Sequence, residues 1–132
     1  MSSVIIDTDV LSFLWKNDTR SELYRPHLSE KIIVISFMTL AEIDRWALER
    51  KWGEVRKKKM EQHLKNFVVH PYNRELCLKW AEASWSAQRN GKPIETADAW
   101  IAATALLHNI PLVTNNKRHF VGVDGLTLIT AE

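Results

Sequence analysis

Val4-Ile5-Ile6-Asp7-Thr8-Asp9 decides the fold: an aliphatic run ends directly in two carboxylates separated by one hydroxyl. A short apolar run of this kind reads as a strand buried on both faces of a parallel sheet. The acids then fall at its carboxyl end, where open α/β sheets bind ligands in the crevice above the strand termini. Two carboxylates about 4 Å apart repel by roughly 4 kcal/mol at an effective dielectric near 20, so such a pair calls for a cation, an Arg or Lys, or a shared proton. Asp9 has a second reading as the N-cap of a helix over Val10-Leu11-Ser12-Phe13-Leu14-Trp15. Asp7 belongs to the strand end itself.

Outward from this stretch, strands and helices alternate. Ser21 to Leu28 suggests a short helix interrupted at Pro26. Ile32-Ile33-Val34-Ile35 is a second buried strand, followed by Ser36. Leu40, Ile43, Ala47 and Leu48 recur at helical spacing over Thr39 to Trp52, with Gly53 as the break and Glu42 near the start. Glu54 to Phe67 forms the next helix, and Val68-Val69-His70 a third strand. Asn73 caps a helix striped by Leu76, Trp80, Ala83 and Ala87, which Asn90-Gly91 ends. Thr96 caps a helix over Ala97 to Leu107 with Asp98 in its first turn, where the helix dipole favours a carboxylate. Leu112-Val113-Thr114 and Leu126 to Ile129 complete the strands. The alternation predicts an α/β fold, with a central parallel sheet of four to five strands covered by helices on both faces and joined by right-handed crossovers.

The chain has 132 residues, enough for one domain spanning 1–132 with a core that needs no disulfide or structural-metal staple. No apolar run approaches the roughly 20 residues that span a bilayer, and no secretory leader precedes the first strand, so a cytoplasmic, membrane-free protein is expected. The single Cys77 agrees, since it has no partner for an internal disulfide. A net charge of +2 with a pI near 8.8 is compatible with a nucleic-acid partner. Six tryptophans in so short a chain favour a protein partner.

The polar residues at the strand ends form a set. Asp7 follows the first strand, Glu42 the second by way of Ser36 and Thr39, Asp98 opens a late helix, and Thr114-Asn115-Asn116 follows the fourth strand. These oxygens suit a hard cation such as Mg²⁺ or Mn²⁺. Zinc is disfavoured, because the five histidines and Cys77 are scattered and no Cys-x-x-Cys occurs. Carboxylate-held Mg²⁺ keeps water ligands and completes its shell with phosphate oxygens, which makes phosphodiester hydrolysis the natural reaction.

Val-Ile-Ile-Asp7-Thr8-Asp9, Ser36-x-x-Thr39-x-Ala41-Glu42-Ile43, Asp98-Ala99-Trp100-Ile101-Ala102-Ala103-Thr104-Ala105 and Leu112-Val113-Thr114-Asn115-Asn116-Lys117-x-x-Phe120 resemble the ordered motifs of PIN-domain nucleases. Within that family the chain is most similar to VapC toxins, over essentially its full length. The resemblance implies a PIN-like three-layer α/β/α fold and a Mg²⁺- or Mn²⁺-dependent endoribonuclease. It further implies a homodimer held inactive by a cognate antitoxin whose C-terminal segment wraps the toxin near its active site. By position, Asp7, Glu42 and Asp98 match the family's acids, with Asp7 and Asp98 the surest metal ligands. Asn116 stands where many PIN domains carry a fourth acid, which lowers the charge of the cage. Asp9 stands where Asn is usual, and either restores that charge or caps the helix. Thr8, Ser36 and Thr114 resemble hydroxyls that orient carboxylates or water. Hydrolysis by this route leaves 5′-phosphate and 3′-hydroxyl ends.

Lys117, Arg118 and Arg89, near predicted element ends, are the RNA-binding candidates; Arg50-Lys51-Trp52 and Arg56 to Lys59, the most basic part of the chain, could grip phosphates but read better as a solvated helix face balanced by Glu49, Glu54 and Glu61. His70 and His119 lie where a histidine-based ribonuclease could place its base. Two rival readings fit the opening stretch. In a haloacid-dehalogenase-like phosphohydrolase Asp7 would be the nucleophile and Asp9 the general acid, with a downstream Lys required. In a receiver-like interaction module the acids would hold a cation without catalysis.

Overall fold

The structure, a computed structural model, describes residues 1–131. In chain order it contains β1 (Ser3–Ile6), α1 (Thr8–Lys16), α2 (Thr19–Leu28), β2 (Ile32–Ser36), α3 (Phe37–Glu49), α4 (Glu54–Leu64), β3 (Val68–His70), α5 (Arg74–Arg89), α6 (Thr96–His108), β4 (Leu112–Val113), α7 (Lys117–Phe120) and β5 (Leu128–Ile129). The strands form one five-stranded sheet in the order β3-β2-β1-β4-β5, with every pair parallel. The expected α/β/α layering is present.

Strand alternation divides the core into two halves. Val4 and Ile6 of β1 face a cluster with Val10, Leu11, Tyr24, Ile35 and Ile43, beneath α1 to α4. Ile5 faces the opposite cluster with Val34, Ala83, Ala87, Ile101 and Ala102, beneath α5 and α6. Because Val4, Ile5 and Ile6 are all buried, β1 is the central strand that the uniform aliphatic run predicts. The small residues Ala83, Ala87, Ala102 and Ala105 allow α5 and α6 to pack on that face.

The order reverses at β1. β2 and β3 extend the sheet to one side of it, and β4 and β5 to the other. The gap above β1 and β4 is therefore a topological switch point, where loops diverge to opposite faces and leave a crevice.

Several local expectations are corrected. Helix α2 runs through Pro26 rather than being interrupted there, at the cost of the one bond that position 26 would donate to the Glu22 carbonyl. Helix α3 starts at Phe37, capped by the Ser36 hydroxyl, and ends at Glu49 rather than Trp52. Helix α4 stops at Leu64 rather than Phe67. Helix α6 has Glu95, not Thr96, at its N-cap. The short α7 after β4 has no counterpart in the sequence reading, since four residues carry no usable periodicity. Among the described residues no helix is long and apolar enough to cross a membrane.

Candidate functional site

Helix α1 leaves the carboxyl end of β1 at once, and Asp7 is its N-cap: Oδ1 accepts the Val10 amide at 2.9 Å. The cap expected at Asp9 therefore lies two residues earlier, and Asp9 occupies the first turn instead. The second Asp7 oxygen, Oδ2, accepts the Thr114 hydroxyl at 2.5 Å across the switch point. Asp7 is only 4% exposed. Burial pushes its carboxyl up from 3.8 to about 6, opposed by the hydrogen bonds from Thr114 and Val10 and reinforced by the charges of Asp9 and Asp98.

Asp98 comes from the first turn of α6. Its Oδ2 lies 3.3 Å from His119 Nδ1, an ion pair when the imidazole is protonated. Burial raises the Asp98 carboxyl above its ordinary value, against the pull of His119, and the charges of Glu95 and Glu42 raise it further. Each acid thus feels another across the crevice: Asp7 feels Asp9 and Asp98, and Asp98 feels Glu42.

Glu42 comes from α3 and is held by α1. Thr8 Oγ1 donates to Glu42 Oε1 at 2.7 Å, and Thr39 Oγ1 lies 3.0 Å from Thr8 Oγ1. Thr8 has a single hydroxyl proton and Glu42, when ionised, only accepts, so Thr39 donates to Thr8. Thr39 is a site residue the sequence motif contained without assigning it a role. The signal was its spacing, one turn before Glu42 on the same helix.

The loop after β4 supplies the remaining wall. Asn116 N donates to Thr114 Oγ1 at 2.9 Å, and the Asn116 side-chain amide donates to Asp9 Oδ2. Tyr24 OH donates to Asn115 Oδ1 at 2.7 Å, which ties this loop to α2. Beside it lies a cleft of about 460 Å³ lined by Asn116, Lys117, Arg118 and His119.

Asp7, Asp9, Glu42, Asp98, Thr8, Thr114 and Asn116 therefore converge. Ser36 and Arg89 do not join them. The Ser36 hydroxyl accepts the Met38 amide at 3.0 Å and serves as the α3 cap rather than orienting a carboxylate. Arg89 sits at the far end of α5, bound to Asp124 at 2.5 Å.

Asp7 caps α1 and Asp98 stands in the first turn of α6, so two helix N-termini offset part of the repulsion among the acids. Among the described residues, the one ion pair made by these acids is that of Asp98 with His119, and no lysine pairs with Asp7, Asp9, Glu42 or Asp98. An aspartyl nucleophile with a partner lysine thus has no counterpart here. No three His, Cys, Asp or Glu groups among the described residues close on a point as a bare ion's cage. A hydrated divalent ion held by one or two carboxylates, with water between, needs no such cage. The all-oxygen donors, repelled by one another and lacking a fixed cation, fit that kind of ion.

Residues 4–126 match the family of the PIN domain. Ribonuclease VapC1 of Haemophilus influenzae (strain R2866) is 28% identical over 126 residues, covering 92% of each chain. The tRNA(fMet)-specific endonuclease VapC of Shigella flexneri is 28% identical, covering 96% of each. In fold, the chain is similar to a protein in the crystal structure of VapBC2 from Rickettsia felis bound to a DNA fragment from their promoter, with a TM-score of 0.82 and 22% identity over 97% of this chain and 98% of that one.

Proposed function

We propose, from the premise that this chain belongs to the PIN-domain family, that it is a divalent-metal-dependent endoribonuclease and the toxin of a type II toxin–antitoxin pair. The observation that carries this reading is the convergence of Asp7, Glu42 and Asp98 from separate elements on the crevice between β1 and β4, with the Thr114 and Thr8 hydroxyls already aiming Asp7 and Glu42. The relatives named as VapC ribonucleases support it along nearly the whole chain.

Asp7 and Asp98 are the main ligands for Mg²⁺ or Mn²⁺, and Glu42 and Asn116 complete the polar wall. When bound, the ion stabilises charge developing at phosphorus and makes water acidic enough to attack near neutral pH. Thr114 fixes one oxygen of Asp7 and the Val10 amide the other, which leaves a lone pair on each for further contacts. Thr8 and Thr39 hold Glu42 toward the crevice. His119 holds Asp98 and, when protonated, also presents positive charge to an incoming phosphate. Water attacks phosphorus, the P–O3′ bond breaks, and the fragments carry 5′-phosphate and 3′-hydroxyl ends.

Lys117 and Arg118 line the cleft next to Asn116 and bind the RNA backbone leading to the acids. An antitoxin helix occupies the groove between α3 and α4, about 320 Å³ in volume, with Ile43, Ala47, Leu48, Trp52, Met60 and Leu64 along it and Asp44, Lys57 and Glu61 also lining it. Exposed Leu78 and Trp85 on α5 suit a second copy of the chain in a homodimer. The setting is cytoplasmic. The test is incubation of antitoxin-free protein with cellular RNA and Mg²⁺ or Mn²⁺, with chelator and Asp7→Asn controls and mapping of both ends. Cleavage lost in both controls supports the reading, and intact RNA under every metal condition overturns it.

A further inference from the structure

We propose that Asp9 is the fourth carboxylate of the divalent-ion site and that Asn116 is the positioning residue that aims it. The inference rests on the metal-dependent reading above and deepens it.

A first-turn acid such as Asp9 is ordinarily explained by the helix dipole, which favours negative charge there and leaves the side chain free in solvent. Asp9 is exposed but not free: the Asn116 side chain reaches it from the loop after β4, from a position 107 residues away in sequence. A carboxylate only accepts, so the amide must present Nδ2 to Asp9 and turn Oδ1 away. Asn116 N in turn donates to Thr114 Oγ1, and Thr114 donates to Asp7 Oδ2. One unbroken chain of hydrogen bonds, Asp9 to Asn116 to Thr114 to Asp7, therefore links two carboxylates at the cap and first turn of one helix. The loop that fixes Asp7 fixes Asp9 with it.

The surroundings leave Asp9 its charge for the crevice. Arg20 is close enough for the Asp9 charge to act on it, but its hydrogen bonds go to Asp18, with Nη2 at 2.7 Å from Asp18 Oδ2, and its guanidinium lies 4.1 Å over the Phe13 ring. Asp9 makes no ion pair among the described residues. It lies close enough to Asp7 for its charge to act on that carboxyl. A neutral residue at 116 is what this arrangement demands. A second acid there would face Asp9 with no proton between them, whereas an amide donates. The two positions thus share one negative charge, and exchanging the acid and the amide should preserve both the hydrogen bond and the charge of the site.

The test measures Mn²⁺ affinity by electron paramagnetic resonance on the full chain without RNA or antitoxin, for the wild type, D7N, D9N, N116A, D9N/N116A and D9N/N116D, each checked for folding by circular dichroism. D9N retains the shape of Asp9 and its place in the helix, and should weaken Mn²⁺ binding by about tenfold or more. N116A should weaken it by a smaller factor and add nothing in the D9N background, the non-additivity expected of residues acting as a unit. D9N/N116D should return affinity to within about threefold of the wild type. Affinity within twofold of wild type in D9N, while D7N abolishes binding, overturns the proposal, as does full additivity of D9N and N116A. Absence of Mn²⁺ binding by the wild type, or indifference to D7N, instead removes the metal-dependent reading and this inference with it.

Discussion

Thr114 Oγ1 donates to Asp7 Oδ2 at 2.5 Å, joining the ends of β1 and β4 across 107 residues of sequence. This bond lowers the Asp7 pKa in opposition to burial, and it is the one side-chain donor that does so. Replacing Thr114 with Val removes the donor, keeps the volume, and leaves the Asn116 amide without its acceptor. The Asp7 pKa should then rise above its present value of about 6. Since binding of a cation requires ionised Asp7, the acid limb of the pH–rate profile for RNA cleavage should move to higher pH in T114V. A profile unchanged in shape and midpoint would show that Thr114 does not tune this carboxyl.

Asp7 should also oppose folding at neutral pH. Its carboxyl is raised from 3.8 to about 6, which corresponds to about 3 kcal/mol of preference for the protonated form in the fold. The stabilisation is full below the unfolded value of 3.8 and is lost as pH rises through about 6. Asp7→Asn should therefore melt several degrees higher than the wild type at pH 7.5 without metal, and show no such advantage at pH 3.5. It should also lose cleavage by on the order of 10³-fold, since on the proposed reading Asp7 is a ligand of the ion. Thermal melts of the two proteins at both pH values, without metal, check the first claim independently of the second.

Metal should reverse that balance. On the proposed reading, Mg²⁺ or Mn²⁺ bound to the folded chain supplies the positive charge the acids lack, so it should raise Tm at pH 7.5 with the logarithm of its excess over Kd. At pH values well below 6 protonated Asp7 competes with the ion and the Tm increment should vanish. In Asp7→Asn it should be small at both pH values. A chelator should return the wild type to its metal-free melting curve and stop cleavage together.

The sheet was legible in the sequence because its decisive signals are local. Val4-Ile5-Ile6 and Ile32-Ile33-Val34-Ile35 are uniformly aliphatic, a pattern that implies strands covered on both faces; Val4 to Ile6 are buried throughout, whereas β2 is buried from Val34 onward and Ile32 at its start is exposed. Asp7, Glu42 and Asp98 were legible for a related reason: each sits where a strand ends or a helix begins, so local rules place all of them at one edge of the sheet. The partners of those acids were less so. Whether Ser36 or Thr39 serves Glu42 depends on which hydroxyl faces α1, and the cap requirement of α3 takes Ser36. That β4 lies beside β1, and so brings Thr114 and Asn116 against Asp7 and Asp9, is a property of strand order rather than of any segment. Arg89 was misplaced because a position near a helix end does not say which end of the sheet it reaches; Asp124 binds it instead.

Lys117 and Arg118 should account for part of the salt dependence of RNA binding. Both line the cleft beside Asn116, whereas Arg89 is engaged with Asp124. In a cleavage-dead Asp7→Asn background, removing either of the first two should weaken binding and reduce the slope of log affinity against log salt by about one unit for each phosphate no longer neutralised. Arg89→Ala should leave that slope unchanged. A slope insensitive to Lys117→Ala and Arg118→Ala would place the RNA elsewhere.

Antitoxin recognition should separate cleanly from cleavage at Leu48. Its side chain is 77% exposed on α3, yet it lines the apolar groove with Ala47, Trp52 and Met60, away from the hydroxyl chain that holds Glu42. An exposed helical position tolerates a charge within about 0.5 kcal/mol, so Leu48→Glu should fold and cut RNA like the wild type. A helix docked in the groove would bury that new carboxylate beside Asp44 and Glu61, with Lys57, the cation lining the groove, already paired with Glu54, at a cost of about 2–3 kcal/mol, or roughly a hundredfold in affinity. Co-expression with the antitoxin should therefore rescue growth for the wild type and fail to do so for Leu48→Glu. The direct measurement is antitoxin titration against RNA cleavage, where equal inhibition of both proteins would move the antitoxin off this groove.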